Sequence, residues 1–226
     1  MSDPGRVSPK WHTILDTHNH NDESVSLKMS IHELNRYCKT CEEYKPPRAH
    51  HCSQCHRCVL RMDHHCPFTN SCIGFYNHAH FVRFLIWTSI GCLMVAIIII
   101  WRLAEIVAAV EMGTTQTMTS IAIDAEIVFI GIDLVILMPI ASIIWLLLST
   151  HVYYVLTNQT TIEASERRRK NFLVGTRLKT ETNLYDVGFR KNVISVFGHL
   201  WMHWLIPTLK TPPGDGHGFD MKGGDH

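Results

Sequence analysis

What this sequence is short of narrows the reading first. It has no surplus of one charge: 21 Lys+Arg stand against 20 Asp+Glu. Without a basic excess to neutralise phosphates, nucleic acid is excluded as a general partner. The first 30 residues are polar, so no signal-peptide core is read there. Charged residues are absent from two long stretches, 84–101 and 134–156, which speaks against one soluble core. Cysteine is nearly absent outside one window: seven of the eight lie between positions 38 and 72, and Cys92 stands apart. No internal repeat is read from the sequence. Apolar residues are concentrated rather than scarce, which excludes disorder.

The two uncharged stretches predict membrane-spanning helices. Residues 84–101 form an apolar run of 18, and a helix needs roughly 20 such residues to cross the hydrocarbon. Arg83 and Arg102 flank it, positioned to snorkel, and Trp87 and Trp101 suit the interface. The second run, 134–156, holds Pro139 and His151, with Asp133 just before it. Of the 21 Lys+Arg, ten fall in 1–83 and ten in 157–226; the segment 102–133 has only Arg102, beside five acids. The positive-inside rule then predicts that both termini are cytosolic and the connecting loop lumenal. The sequon Asn158-Gln159-Thr160 falls on the cytosolic side and is expected to stay unmodified.

The chemistry-bearing residues gather before the first span: Cys38, Cys41, Cys52, Cys55, Cys58, Cys66 and Cys72, with His50, His51, His56, His64 and His65. A cytosolic segment does not keep disulfides, and Cys-x-x-Cys pairs there read as zinc ligands. Two structural zincs take eight N/S ligands. Seven Cys with one His fill them and leave no thiol. Six Cys with two His fill them and free one Cys, and Cys66 in Asp63-His64-His65-Cys66 is the natural candidate. A nearby His lowers a thiol pKa, and an Asp can fix the His tautomer. The spacing alone leaves both assignments open. Cys52-Ser-Gln-Cys55-His56 also fits the haem-attachment pattern, but not among so many zinc-type ligands. A RING-like cross-brace lacks a closing pair after Cys72.

These residues resemble the DHHC protein S-acyltransferases, or palmitoyltransferases. The likeness runs through Cys38-x2-Cys41, Lys45-Pro-Pro-Arg48, His51-Cys52-x2-Cys55-x2-Cys58, Asp63-His64-His65-Cys66-Pro67, Cys72-Ile73-Gly74, Asn77 and Phe81. Further signatures are Asp3-Pro4-Gly5, Thr160-Thr161-Ile162-Glu163, and residues 183–198 with Asn192. The chain departs from the family pattern at Phe68, Ser71 and Leu184. The resemblance implies two Cys3His zinc sites, Cys38/Cys41/His51/Cys58 and Cys52/Cys55/His65/Cys72. It implies Cys66 as the acyl-accepting nucleophile, and Asp63 with His64 as the polarising pair. Thr160, Thr161, Glu163 and Asn192 are implied supporting residues, Thr161 being expected to hydrogen-bond toward Asp63. His50 and His56 stay outside the ligand sets.

The expected fold is a mainly α-helical integral membrane protein, two transmembrane helices with a small zinc-stabilised, hairpin-rich cysteine-rich domain. The expected order is a cytosolic segment 1–35, the zinc domain 36–82, a helix 83–102, a lumenal loop 103–132, a helix 133–156 and a cytosolic region 157–226. Within the last, 191–205 reads as an interfacial helix. Arg167–Lys170 reads as an anionic-lipid contact ahead of a CoA-phosphate contact. Family members usually have four transmembrane helices, of which this chain shows the last two, as a fragment, a truncated gene model or a reduced variant would. The activity implied is transfer of a palmitoyl or similar acyl group from long-chain acyl-CoA to cysteines of substrate proteins. Membrane lipid, an accessory subunit and endoplasmic reticulum or Golgi membranes complete the expectation. Phe81, Phe84 and Gly91 are placed to face the acyl chain. Gly91, where some members carry a bulky residue, predicts tolerance of longer chains. The alternative is an inactive zinc-binding membrane scaffold, or a fragment of a four-helix enzyme.

Overall fold

The computed structural model describes residues 2–8, 36–113, 120–174, 183–199 and 212–222. They fall into two compact units, residues 1–81 with 153–226, and residues 82–152.

The first unit contains three antiparallel hairpins: β1 (Tyr37–Cys38) with β2 (Glu43–Tyr44), β3 (His50–Cys52) with β4 (Arg57–Val59), and β5 (His64–Cys66) with β6 (Ser71–Ile73). Strands of two or three residues do not hold by themselves, so the hairpins depend on what ties them together. Their registers are superimposable. Cys38 pairs with Glu43, Cys52 with Arg57 and Cys66 with Ser71; Tyr37 pairs with Tyr44, His51 with Cys58 and His65 with Cys72. Each position recurs after 14 residues. The turn residue with positive φ recurs too, as Glu42, His56 and Asn70. The sequence therefore does hold an internal repeat, contrary to its first reading. It escapes notice because Tyr replaces His and Cys in the first copy and Thr69 replaces Cys in the third.

Segments distant in sequence close this unit. Gly5 O accepts from Leu60 N–H at 3.0 Å, and Tyr76 N–H donates to Pro4 O at 3.2 Å. Asp3 Oδ1 accepts from Gly5 N–H at 3.1 Å, shaping the turn that brings residues 2–8 against β4. Gly74 sits where a Cβ would lie 2.7–2.9 Å from Val59, Pro4 O and Leu60 O, so no larger residue fits. Val7, Cys38, Ala49, Cys58, Leu60 and Phe75 form one small core. Cys52, Val59, Met62 and Cys72 form another, with Ile162 packed against it.

Helix α1 (His78–Glu111) and helix α2 (Ser120–Leu156) are both long and apolar enough to cross a membrane. Most large apolar side chains along them are exposed, among them Ile98, Ile100, Val135 and Leu146, as lipid-facing helices require. Helical structure extends beyond both apolar runs, so much of the segment read as a connecting loop is helical. Ion pairs support these polar extensions: Arg102 meets Glu105 at 2.8 Å and also pairs with Glu126.

Helix α3 (Thr161–Val174) begins with a capping box. Thr160 Oγ1 accepts from Glu163 N–H at 3.3 Å, and Glu163 Oε2 accepts from Thr160 N–H at 2.9 Å. Helix α4 (Phe189–Phe197) is bounded by Gly188 and Gly198, both at positive φ. It buries Asn192, Val193 and Val196. The expected interfacial helix thus closes at Gly198 on its described side; Leu200, Trp201, His203 and Trp204 lie outside the described residues, as does most of the expected N-terminal segment.

Candidate active site and metal centres

Interleaving of the hairpins brings eight ligand-type side chains into two quartets. The turn after β1 supplies Cys38 and Cys41, and the facing pair His51 and Cys58 comes from the second hairpin. The turn of that second hairpin supplies Cys52 and Cys55, which meet the facing pair His65 and Cys72 of the third. In the first quartet His51 Nδ1 lies 3.5, 3.3 and 3.9 Å from the sulfurs of Cys38, Cys41 and Cys58, and Cys41 and Cys58 are 3.8 Å apart. In the second, His65 Nδ1 lies 3.6, 3.5 and 3.8 Å from Cys52, Cys55 and Cys72, and Cys55 and Cys72 are 3.5 Å apart. A tetrahedron with Zn–S near 2.3 Å and Zn–N near 2.0 Å has edges of about 3.5–3.8 Å. The quartets suit two zinc ions. Four protein ligands apiece leave no open coordination position, so the metal chemistry they support is structural. His50 and His56 belong to neither quartet. Arg36 lies 3.3 Å from His50 Nε2, and burial with that cation lowers His50 to about 4.

Strand alternation explains why two adjacent histidines part ways. Successive side chains of a strand face opposite sides. On β5, His65 turns to the metal quartet while His64 and Cys66 share the other face. His64 Nδ1 lies 2.6 Å from Asp63 Oδ2, and Cys66 follows two residues on along the same strand. Beside an ionised Asp63, Nδ1 carries the proton. The His64 ring meets Phe81 edge-on, centroids 5.2 Å apart. Burial lowers His64, but the Asp63 hydrogen bond and charge outweigh it, and its pKa is raised. Burial raises the Cys66 thiol, but hydrogen bonds from Thr69, His64 and Phe68 N–H outweigh that, and it is lowered. The arrangement is a thiol, an imidazole and a carboxylate in a relay, with the thiol outside both metal quartets.

Asp63 is fully buried, and a buried carboxylate needs partners. Thr161 N–H donates to Oδ1 at 2.9 Å and Thr161 Oγ1 donates to Oδ2 at 2.8 Å. The Thr160-Thr161-Ile162-Glu163 stretch therefore divides its labour. Thr160 and Glu163 cap α3, Thr161 grips Asp63, and Ile162 packs on the second small core. Glu163 takes one further partner, Arg48: Nε to Oε1 at 2.7 Å and NH2 to Oε2 at 2.9 Å.

The residues around Arg48 were not singled out from sequence as site residues. Arg48 NH1 donates to Asn158 Oδ1 at 3.0 Å, and Arg61 donates to the same oxygen at 2.8 Å. Asn158 Nδ2 donates to Tyr185 O at 2.8 Å. The Arg48 guanidinium lies over the rings of Tyr185 and Phe219, 4.2 and 4.9 Å from their centroids. Arg48 was legible only as part of Lys45-Pro-Pro-Arg48, and Asn158 only as a sequon. Asn192 is fully buried with its side chain satisfied, donating to Leu156 O at 2.7 Å and Asp186 Oδ1 at 2.6 Å and accepting from Val187 N–H at 3.1 Å. Phe84 and Gly91 lie on α1, both exposed, and a Cβ at Gly91 would meet nothing within 4 Å.

A thiol stands beside an Asp–His pair on a hairpin module with two zinc-suited quartets, and two helices long and apolar enough to cross a membrane follow it in the chain. The model of the DHHC palmitoyltransferase family matches residues 31–168, and the chain belongs to that family. It is 31% identical over 92% of its length to probable protein S-acyltransferase 16 of Arabidopsis thaliana, covering 69% of that protein. It is 30% identical over 97% of its length to probable protein S-acyltransferase 15 of the same plant, covering 80% of it. It is 36% identical over 83% of its length to the human palmitoyltransferase ZDHHC15, of which it spans 50%. Protein-cysteine S-palmitoyltransferase is accordingly its activity class, and the scaffold reading is not favoured.

Proposed function

We propose that the chain transfers long-chain acyl groups from acyl-CoA to cysteines of substrate proteins through a Cys66 thioester. The observation that carries this is the Asp63–His64–Cys66 relay, with Asp63 gripped by Thr161 and the Cys66 sulfur in neither zinc quartet. His64 takes the Cys66 proton. The thiolate attacks the carbonyl carbon of the acyl-CoA thioester, forming a new S–C bond. The CoA–carbonyl C–S bond breaks, and CoA leaves with the proton returned from His64. In the second half, His64 takes the proton of a substrate cysteine, whose thiolate attacks the acyl carbonyl; the Cys66 S–acyl bond breaks, and the Cys66 thiolate recovers the proton from His64. Asp63 orients the ring and stabilises its protonated form.

Cys66 precedes the start of the first apolar run by 18 residues, so the acyl chain is expected to stay in the bilayer while CoA stays in the cytosol. Each buried methylene contributes about 0.8 kcal/mol to that preference. Phe81, Phe84 and Gly91 are the proposed chain-facing positions. The charge distribution supports cytosolic termini, and endoplasmic reticulum or Golgi membranes are the proposed setting.

The test is labelling of purified chain with a clickable palmitoyl-CoA, wild type beside Cys66→Ser, with zinc counted on the same samples. Hydroxylamine-labile label on the wild type alone, at two zincs per chain, is the expected result. Two zincs without label would overturn the proposal.

A further inference from the structure

Residues 212–222 lie well past the stretch 31–168 that the family model matches, yet they return to the zinc module as a strap. Tyr76 Oη donates to Asp215 O at 3.3 Å, and Lys222 N–H donates to Leu184 O at 2.7 Å. Gly216, at a φ of 78°, comes so close to Phe75 that a Cβ there would lie 2.9 Å from the ring. Phe219 meets the rings of Phe75 and Tyr185 edge-on, centroids 6.1 and 6.0 Å apart.

The strap covers Arg48. The polar edge of that guanidinium is already occupied: Nε and NH2 by Glu163, NH1 by Asn158 Oδ1, and NH2 also by Asn158 O at 3.0 Å. Its flat face remains, and there Phe219 stands 4.9 Å away beside Tyr185. A cation over an aromatic face is held more strongly when water is kept out, and so is its attraction to a carboxylate. Glu163 in turn accepts from Thr160 N–H, and the next residue, Thr161, gives Asp63 two hydrogen bonds. A continuous line of short contacts runs from the tail ring to the carboxylate that orients His64.

We propose that Phe219 is a positioning residue for acyl transfer: carried on the C-terminal strap, its ring keeps the Arg48–Glu163 pair dry, and that pair holds the start of α3 where Thr161 grips Asp63. The effect on transfer rests on the reading of Cys66 under Proposed function; the hold on α3 does not.

The experiment uses the full chain with Phe219→Ala, Phe219→Tyr and Gly216→Val, beside wild type, Cys66→Ser, Glu163→Gln and the double variant Phe219→Ala/Glu163→Gln. Zinc per chain and the first-order rate of Cys66 acylation are measured across palmitoyl-CoA concentrations. Phe219→Ala is expected to keep two zincs and to lose roughly tenfold in rate at saturating donor, the weight of one desolvated cation–π contact. The half-saturating donor concentration stays unchanged, and Phe219→Tyr keeps the wild-type rate. Gly216→Val, which lifts the strap and leaves the Phe219 ring in place, is expected to match Phe219→Ala. Added to Glu163→Gln, Phe219→Ala should cost less than about twofold, because the pair it acts through is already broken. A second arm follows amide exchange at Thr160 and Thr161 in detergent and so does not depend on acyl transfer. Phe219→Ala is expected to speed exchange there and to leave β5 and β6 unchanged. An unchanged rate in Phe219→Ala or Gly216→Val, a Phe219→Tyr rate as low as Phe219→Ala, a loss confined to half-saturation, a missing zinc, or a full tenfold loss on top of Glu163→Gln would each overturn the positioning role. Unchanged exchange at Thr160 and Thr161 would overturn the hold on α3. If wild type and Cys66→Ser label alike, the reading of Cys66 fails instead, and the exchange arm still decides the hold.

Discussion

Thr161 grips Asp63 with both its backbone and its side chain, one donor to each carboxylate oxygen, across 98 residues of sequence. That leaves Asp63 fixed in rotation before His64 adds its own hydrogen bond to Oδ2. The segment after the second apolar helix is therefore part of the active site's support.

Replacing Thr161 by Val removes only the hydroxyl donor. A hydrogen bond to a charged group is worth about 1.5–3 kcal/mol, so Cys66 acylation should slow roughly tenfold to a hundredfold. Zinc should remain at two per chain, and Thr161→Ser should recover most of the rate. Single-turnover labelling with metal analysis checks both.

The zinc quartets tie together strands too short to persist alone. Stripping the metal with a strong chelator should abolish amide protection across β3 to β6 and leave α1 protected, as read by hydrogen exchange in detergent. Cys41→Ser should release one zinc and loosen the first two hairpins before the third. Zinc added back to the stripped wild type should restore protection.

Glu163 gives stability a definite pH dependence. Burial raises its carboxyl, but the Arg48 charge and hydrogen bonds, with Thr160 N–H and Arg61, hold it below its ordinary value of 4.5. The lowered folded value means that its contribution is fully present above pH 4.5 and lost as pH falls through the folded value. Glu163→Gln leaves the Arg48 guanidinium, 1% exposed, without its counter-charge. A cost of about 3 kcal/mol at pH 7 is expected. The gap between wild type and variant should narrow below pH 4.5. Denaturant midpoints at saturating zinc across pH 3.5–7 test the sign.

Asn192→Ala should cost about 1–2 kcal/mol, because the half-buried Leu156 carbonyl and Asp186 Oδ1 each lose a donor, while Val187 N–H keeps Tyr185 O. Faster proteolysis within residues 183–199, at unchanged zinc content, is the expected readout.

The apolar runs and the cysteine–histidine cluster were readable because each is a local pattern of composition or spacing. The partition of ligands was not settled by spacing; it came from the family resemblance, and strand alternation on β5 supplies its physical reason. Helix ends were underestimated because Arg102, Glu105 and Glu126 look like loop residues until their pairing across the two helices is known. Arg48, Asn158, Tyr185 and Phe219 meet across up to 171 positions, and no periodicity encodes a contact of that range. The repeat was missed for a chemical reason: backbone turns repeat at Glu42, His56 and Asn70, while the side chains that would advertise them have changed.

The Arg48 network also bears on how this chain's orientation can be mapped. Asn158 lies in a glycosylation sequon, but its Nδ2, the atom a glycan would occupy, donates to Tyr185 O, and its Oδ1 receives two guanidinium groups. The residue is 4% exposed. Folding removes this site from any oligosaccharyl transferase, whichever side of the bilayer it faces. A missing sugar at Asn158 is then no reporter of topology, and an engineered acceptor at an exposed position is the reporter to use.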